Sequence, residues 1–395
     1  MKPHSSTLVI GAPATGDKYW PRPGLTADLL SALENDHVIF PGPRRTGKTS
    51  VLKDLESRAA AGEKVVLINT EKLASPAALI QTIAKAVAPA GKLKTLAKSV
   101  GSQVKRIKGI KVPMFGLDFD TAAEADWQAA ADALLTTLME QTSRTLIMLD
   151  EFSVFVELMA RKDKTQAEQL LRWFREWRQR LVDTPVRFLL TGSIGIDSVL
   201  RKLQLGDTIN DFRSIEMCVP SDAEAKKFLS QRAKENDIPL KPGHSAKIIE
   251  LIGQPWFYFL NIFLAEIKTW TRREGREPNA QDLATIYQDR LVGPGNENVK
   301  HMWDKLDEIF LPAEQRLARE LLRHMSRTAH GMSLAEMENV HLQVFPPGGS
   351  AETAQLDYVL RVLRHDGYLI QSTIGEQRTH FTSNLLRDYW FRQHA

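Results

Sequence analysis

The residues best suited to chemistry lie in the run Gly42-Pro43-Arg44-Arg45-Thr46-Gly47-Lys48-Thr49, a complete G-x-x-x-x-G-K-[ST] pattern continued by Ser50. The run follows the apolar segment HVIFP and precedes the helical segment SVLKDLESRAA. Strand, loop and helix therefore come in the order that phosphate binding requires. Successive backbone N–H groups of such a loop point inward around a β-phosphate, and the following helix adds its positive end. Lys48 is placed to reach the β and γ phosphates, and Thr49 to coordinate Mg2+. Glycine at positions 42 and 47 permits the close backbone approach.

A second set of groups closes the segment Thr145-Leu-Ile-Met-Leu-Asp150-Glu151, a buried strand that emerges into two acids. Asp150 at the strand tip can hold Mg2+, usually through its water, and Glu151 can orient and deprotonate a water attacking the γ-phosphate. A strand exit with surface charges would read the same in isolation; the complete phosphate loop upstream favours the chemical role. In Val186-Arg-Phe-Leu-Leu-Thr191-Gly192-Ser193 a further strand ends in hydroxyls. If it lies between the strands carrying the phosphate loop and Asp150, then Thr191 or Ser193 stands beside the γ-phosphate and can sense it. A plain helix cap before IGIDSVL explains the same residues equally well. No Asn-Lys-x-Asp element occurs, so adenine is the expected base and ATP with Mg2+ the expected ligand.

These groups need a scaffold, and the pattern from Asp36 to about Val219 supplies an α/β one. Short apolar runs at 37–42, 64–70, 145–150, 186–192 and 213–219 alternate with amphipathic segments, as parallel strands joined by crossover helices do. From Ser221 to Leu291 the pattern is helical, with SDAEA as a capped start and an interruption at Gly253-Gln254-Pro255. The remainder predicts an amphipathic helix (311–326), a short helix (333–340), a longer helix (351–366) and the strand-like runs GYLIQS and RTHFTS. That order is a winged-helix pattern. The expected domains are a core at 1–219, a helical domain at 220–297 and a winged-helix domain at 298–395, with Gly293-Pro-Gly295 as a flexible joint.

The 395 residues are 43% apolar and 25% charged, enough for two to three globular domains. Lys plus Arg number 52 against 48 acids, a surplus too small to imply nucleic acid by itself. The lone Cys218 excludes an internal disulfide and a multi-cysteine zinc site within this chain. The amino terminus lacks the apolar core of a signal peptide, and the longest apolar stretch, Pro255 to Ile267, is interrupted by Asn261. The expected compartment is the cytoplasm, without membrane contact.

The combination GPRRTGKTSVL, LIMLDEF, FLLTGSIG, IGQPWF and LRHDGYLI resembles the archaeal-type ATPases, relatives of the STAND and origin-initiator branches of the AAA+-like P-loop proteins. The resemblance covers about residues 6 to 392. It implies a P-loop NTPase parallel sheet ordered 5-1-4-3-2, a helical lid whose Gly253 and Pro255 approach the nucleotide, and a winged helix packed on the core. In similar proteins a segment near the adenine reads roughly Phe-x-Gly-Arg-Glu. Here Tyr19-Trp-Pro-Arg22-Pro-Gly24 keeps Arg22 and loses the Gly and Glu. Family position favours Arg201 as an arginine finger, with Arg213 second; either could equally be a solvated residue. A finger usually serves a neighbouring subunit, so a homo-oligomer is possible.

From Gly91 to Leu117 the chain carries Lys92, Lys94, Lys98, Lys105, Arg106, Lys108 and Lys111 with no acid. This insertion, near 91–119, reads as a β-hairpin that could contact nucleic acid, dock an acidic partner or form a solvated face. Between Asn298 and Ala395 eleven basic residues meet twelve acids, so the winged helix has no basic bias, although Arg361, Arg364 and Arg378 could still reach DNA. The four aromatics Trp256 to Phe259 face all directions of a helix and predict a fully buried one. His37, His244 and His330 show no ligand spacing. Two functions remain. One is a nucleotide-driven switch, in which MgATP closes the helical and winged-helix domains and hydrolysis at Glu151 releases them to alter the affinity for a protein partner. The other is a nucleotide-holding DNA adaptor. The Asp150-Glu151 pair favours the switch, because a purely structural site has no use for a base.

Overall fold

The computed structural model describes residues 7–42, 45–87, 126–192, 196–348, 353–371 and 377–394. The chain divides into two compact units, one of Pro21–Pro41 with Lys48–Met217, the other of Met1–Trp20, Gly42–Gly47 and Cys218–Ala395. The expected basic hairpin near 91–119 lies outside the described residues.

The first unit is built on five parallel strands, β1 (Val38–Phe40), β2 (Lys64–Asn69), β3 (Thr145–Asp150), β4 (Val186–Thr191) and β5 (Arg213–Ser214), in the order β5-β1-β4-β3-β2. This is the 5-1-4-3-2 sheet of a P-loop NTPase fold. Its helices are α1 (Pro23–Asn35), α2 (Lys48–Ser57), α3 (Pro76–Val87), α4 (Trp127–Met139), α5 (Phe152–Lys162), α6 (Lys164–Arg180) and α7 (Ile196–Leu203). Every residue of β3 and β4 is buried, in keeping with two largely apolar runs, of which β4 is interrupted by the buried Arg187. Register pairs Phe40 with Thr191, Leu149 with Leu190 and Asn69 with Asp150, so β4 does lie between the strand before the phosphate loop and the strand bearing Asp150. The fifth strand is shorter than its apolar run. Its ladder covers two residues, and the chain continues along β1 through Ile215 N to Ile39 O at 3.0 Å and Met217 N to Pro41 O at 3.2 Å.

At the far end of this sheet a buried charge is fully partnered. Arg178 of α6, 1% exposed, bonds both carboxylate oxygens of Asp211 at 2.9 and 2.7 Å, and its guanidinium covers the Phe174 and Phe212 rings. Beside it, His37 Nδ1 accepts the Phe188 N–H at 3.0 Å, which places the ring proton on Nε2 facing the Arg178 carbonyl at 3.4 Å. Burial, with the neighbouring Arg178 charge, lowers the His37 pKa to about 4. The ring is therefore a neutral core group, in keeping with the lack of ligand spacing.

The second unit begins with α8 (Asp222–Glu235), whose Ser221 N-cap and Glu224 form a reciprocal capping box. It continues through α9 (His244–Ile252), α10 (Phe257–Glu274) and α11 (Ala280–Ile286). The break between α9 and α10 falls at Gly253, φ 81, as the Gly-Gln-Pro sequence predicts. Next come α12 (Glu297–Ile309), α13 (Pro312–Ser326), β6 (Met332–Ser333), α14 (Leu334–Val344), α15 (Leu356–His365), β7 (Leu369–Gln371), β8 (Arg378–Phe381) and α16 (Asn384–His394). The three strands form an antiparallel sheet in the order β6-β8-β7.

The segment read as a flexible joint is a closed turn. Asn296 is buried and donates to the Leu291 carbonyl at 2.7 Å, and a Cβ on Gly293 would lie 2.6 Å from the Asp289 carbonyl oxygen. Gly293 thus serves close packing, whereas a Cβ on Gly295 would meet open space. Helix α16 is tied back across the unit. Ser383 Oγ donates to Ile252 O at 2.8 Å, Asn384 Nδ2 to Glu250 O at 3.0 Å, Tyr287 Oη to Asp388 at 2.8 Å and Arg392 to Gln288 O at 2.6 Å. Among the described residues, no helix is long and apolar enough to cross a membrane.

Candidate functional site

Asp150, the last residue of β3, is 2% exposed. One of its carboxylate oxygens accepts the Thr49 hydroxyl at 2.8 Å, and the other accepts the Thr191 hydroxyl from the tip of β4. Its carbonyl is held as well, by both the N–H and the hydroxyl of Thr70, each at 2.9 Å. A buried carboxylate survives only if its oxygens are satisfied, and here its donors come from α2 and β4, while the loop after β2 satisfies the backbone carbonyl. The sheet order makes this possible, because it sets the tips of β3 and β4 side by side with the start of α2 following β1. The strand ends at this switch in order are where open parallel sheets receive ligands.

Lys48 opens α2 and is 6% exposed; Thr49 follows, and Ser50 is buried. In the loop itself Arg45 has φ 66 and Gly47 φ 100, positive values at alternate residues of the kind that turn successive N–H groups to one side. Glu151 also has a left-handed backbone, φ 58 and ψ 31, at the N-cap of α5, where its N–H faces the Thr191 hydroxyl at 3.4 Å. Non-glycine residues in this conformation carry strain of ~1–3 kcal/mol and cluster at functional sites. Arg45 and Glu151 are two of the four among the described residues, the others being Gln204 and Asp237. Both fall in the motifs singled out for chemistry.

The remaining candidates are placed less tellingly. Gly42 and Thr46 belong to the described part of the loop, whereas Pro43, Arg44 and Ser193 lie outside the described residues. Arg22 is 7% exposed, with its guanidinium donating to the Met217 sulfur at 3.1 Å. Pro255 is buried, and the adjacent Gly253 forms a bridge with Ser383. Arg201 is exposed on α7, and Arg213 pairs with Asp36 at 3.4 Å on the surface. Thr70 was not anticipated; a threonine closing the run KVVLINT was its only mark. The aromatic turn is not uniformly buried either. Trp256 and Phe259 are buried, while Phe257 and Tyr258 are half-exposed, because Trp256 caps α10 from outside it and the helix does not bury every direction.

The basic groups proposed for DNA are engaged with the chain itself. Arg364 donates to Thr379 Oγ1 at 3.0 Å, and burial lowers its pKa. Arg378 bonds the His330 and Gly331 carbonyls and Glu336. Arg361 is exposed with Asp357 3.7 Å away. The lone Cys218 is exposed. Among the described residues, no group of three or more His, Cys, Asp or Glu could hold a metal ion.

No protein-family model matches the chain, and no curated protein matches it significantly. Solved structures do. The Walker-type ATPase PABY2304 of Pyrococcus abyssi is similar with a TM-score of 0.64 at 14% identity, over 97% of this chain and 99% of that one. The Aeropyrum pernix ORC2 protein, described in ADPNP–ADP complexes, is similar with a TM-score of 0.53 at 13% identity, over 95% of each chain. At these identities the likeness shows the fold, a P-loop NTPase α/β fold.

Proposed function

We propose that the chain binds ATP with Mg2+ and hydrolyses it, and that the nucleotide state governs its affinity for a partner. The observation that carries this is the Asp150 carboxylate held between the hydroxyls of Thr49 and Thr191. It sets a loop threonine, a strand-tip acid and a potential phosphate sensor within one hydrogen-bonded group. Thr49 and Asp150 would hold Mg2+, whose charge would offset that developing on the phosphates. The loop N–H groups of Gly42 and of Arg44 to Gly47, with Pro43 shaping the loop but donating nothing, and the Lys48 ammonium bind phosphate oxygens, Thr49 and Asp150 hold the metal, Glu151 takes the proton of the attacking water, and Thr191, with Ser193, senses the γ-phosphate. Arg22 and Pro255 are proposed at the base, and Arg201 as a finger toward a neighbouring copy. The neighbour described with ADPNP and ADP supports an adenine nucleotide. The modules proposed are a nucleotide-binding core at 1–219, a lid at 220–297 and a winged helix at 298–395.

Turnover of ATP by the full chain tests this. Lys48→Ala should lower it by on the order of a hundredfold or more while the circular dichroism spectrum is preserved. Glu151→Gln should keep ATP bound and stop its cleavage, with a loss of roughly a hundredfold or more for a missing general base. Undiminished turnover in Lys48→Ala, or loss of ATP affinity in Glu151→Gln, would refute the assignment.

A further inference from the structure

Arg45 lies three residues before Lys48 in the loop and keeps a left-handed backbone, φ 66, that a long side chain adopts only at a conformational cost. Its guanidinium carbon lies 4.8 Å from the centre of the Tyr258 ring, within the range of a cation–π contact. Tyr258 is the second residue of α10, and that turn is braced. Phe257 stacks on Phe228 of α8 with centroids 4.5 Å apart and planes at 26°, and Trp20 meets Phe228 edge-on at 5.3 Å. Tyr258 itself meets Phe259 edge-on at 5.4 Å. A guanidinium lying flat on a ring engages it through its face, whereas its five N–H groups lie in its own plane. Stacking and anion binding therefore use different parts of the same group.

We propose that Tyr258 is a positioning residue: its ring holds Arg45 so that the in-plane N–H groups of the guanidinium serve as further phosphate donors of the loop. This rests on the nucleotide-binding function proposed above. An arginine ordered beforehand spares the entropy of ordering at the moment of binding. Linkage makes the effect mutual, so phosphate in the loop tightens the contact between Arg45 and the braced α8–α10 turn as much as that contact favours phosphate.

MgATP and MgADP affinities of the full chain, measured by calorimetry through a double-mutant cycle, test the proposal. Tyr258→Leu should weaken both by roughly two- to fivefold, the range of a half-exposed cation–π contact. Tyr258→Phe, which keeps the ring face, should restore them. In the Arg45→Ala background, Tyr258→Leu should add no further loss. Should Tyr258→Leu fail to fold, 3,4,5-trifluorophenylalanine at position 258 keeps the ring's shape while stripping negative charge from its face, and should weaken binding in the same direction; a merely structural ring would not respond. Additive losses in the cycle, or unaltered affinity with the fluorinated ring, would overturn the role. Wild-type and Lys48→Ala chains run alongside separate the two failures. Binding lost in Lys48→Ala but unchanged at position 258 removes only the role of Tyr258, whereas a wild-type chain that binds no nucleotide removes both.

Discussion

Acidification from pH 7 to pH 5 should cost the sheet unit about 2 kcal/mol through His37 alone. The imidazole has a pKa of 6.5 when exposed and about 4 in its buried place between Phe188 and Arg178. Because the unfolded chain takes up the proton more readily, stability falls as pH drops from 6.5 toward 4 and the loss is complete below that range. At about 1.4 kcal/mol per pH unit the full loss is ~3.4 kcal/mol, of which roughly 2 is incurred by pH 5. Below pH 4, Asp211 adds its own loss: burial favours its protonated form, but the hydrogen bonds and charge of Arg178 hold its pKa below the ordinary value. Urea denaturation followed by tryptophan fluorescence at pH 7, 6 and 5 measures the effect. His37→Asn, which keeps an acceptor for the Phe188 N–H, is the control. His244 and His394, whose pKa values burial also lowers, are present in both proteins and cancel. The variant should be less stable at pH 7 yet lose about 2 kcal/mol less than wild type on going to pH 5. Equal losses, or a native His37 ring that titrates near 6.5 by NMR, would refute the reasoning.

Three further outcomes follow from the geometry. Thr191→Val removes the hydroxyl given to Asp150 and should cost ~1–3 kcal/mol of stability together with Mg2+-dependent ATP binding; Thr191→Ser should retain both, and calorimetry with and without Mg2+ decides. Gly253→Ala should destabilise by ~1–3 kcal/mol in thermal melts, because φ is 81 and the new Cβ would lie 3.0 Å from the Asn384 nitrogen. Replacing Lys105, Arg106, Lys108 and Lys111 with Ser should leave basal turnover intact. If that segment grips duplex DNA, each lost contact should also lower the slope of log affinity against log salt by about 0.9; an unaltered slope points to a protein partner or a solvated face.

The candidate site could be read from the sequence because its parts are local: eight consecutive residues supply the proposed phosphate loop, and a strand tip the proposed acid pair. Apolar runs located the strands, but their order came from resemblance, since no periodicity states which strands adjoin. Thr70 and Tyr258 escaped for a related reason. The first acts on a residue 80 positions away, and the second meets Arg45 only through the fold. Gly293-Pro-Gly295 misled because the same residues serve a loose linker and a tight packed turn, and only the buried Asn296 hydrogen bond separates the two. Helix α16 was missed outright, as its run NLLRDYWFRQH shows a weak apolar face until Trp390 and Tyr389 are seen buried.

The ties of α16 bear on where this chain can be cut. Its donors satisfy the Ile252, Glu250 and Gln288 carbonyls, and its Asp388 accepts the hydroxyl of Tyr287, which is 1% exposed. A gene fusion that swapped everything after Leu291 for a foreign module would leave these groups to find new partners, at ~1–3 kcal/mol for each one left buried and unmet. The turn at Gly253, shaped to admit the Asn384 backbone, would have no purpose beside a different helix. A cut at this seam therefore carries a cost in stability, and the stretch from α9 to the last turn of α16 is built to fold as one piece.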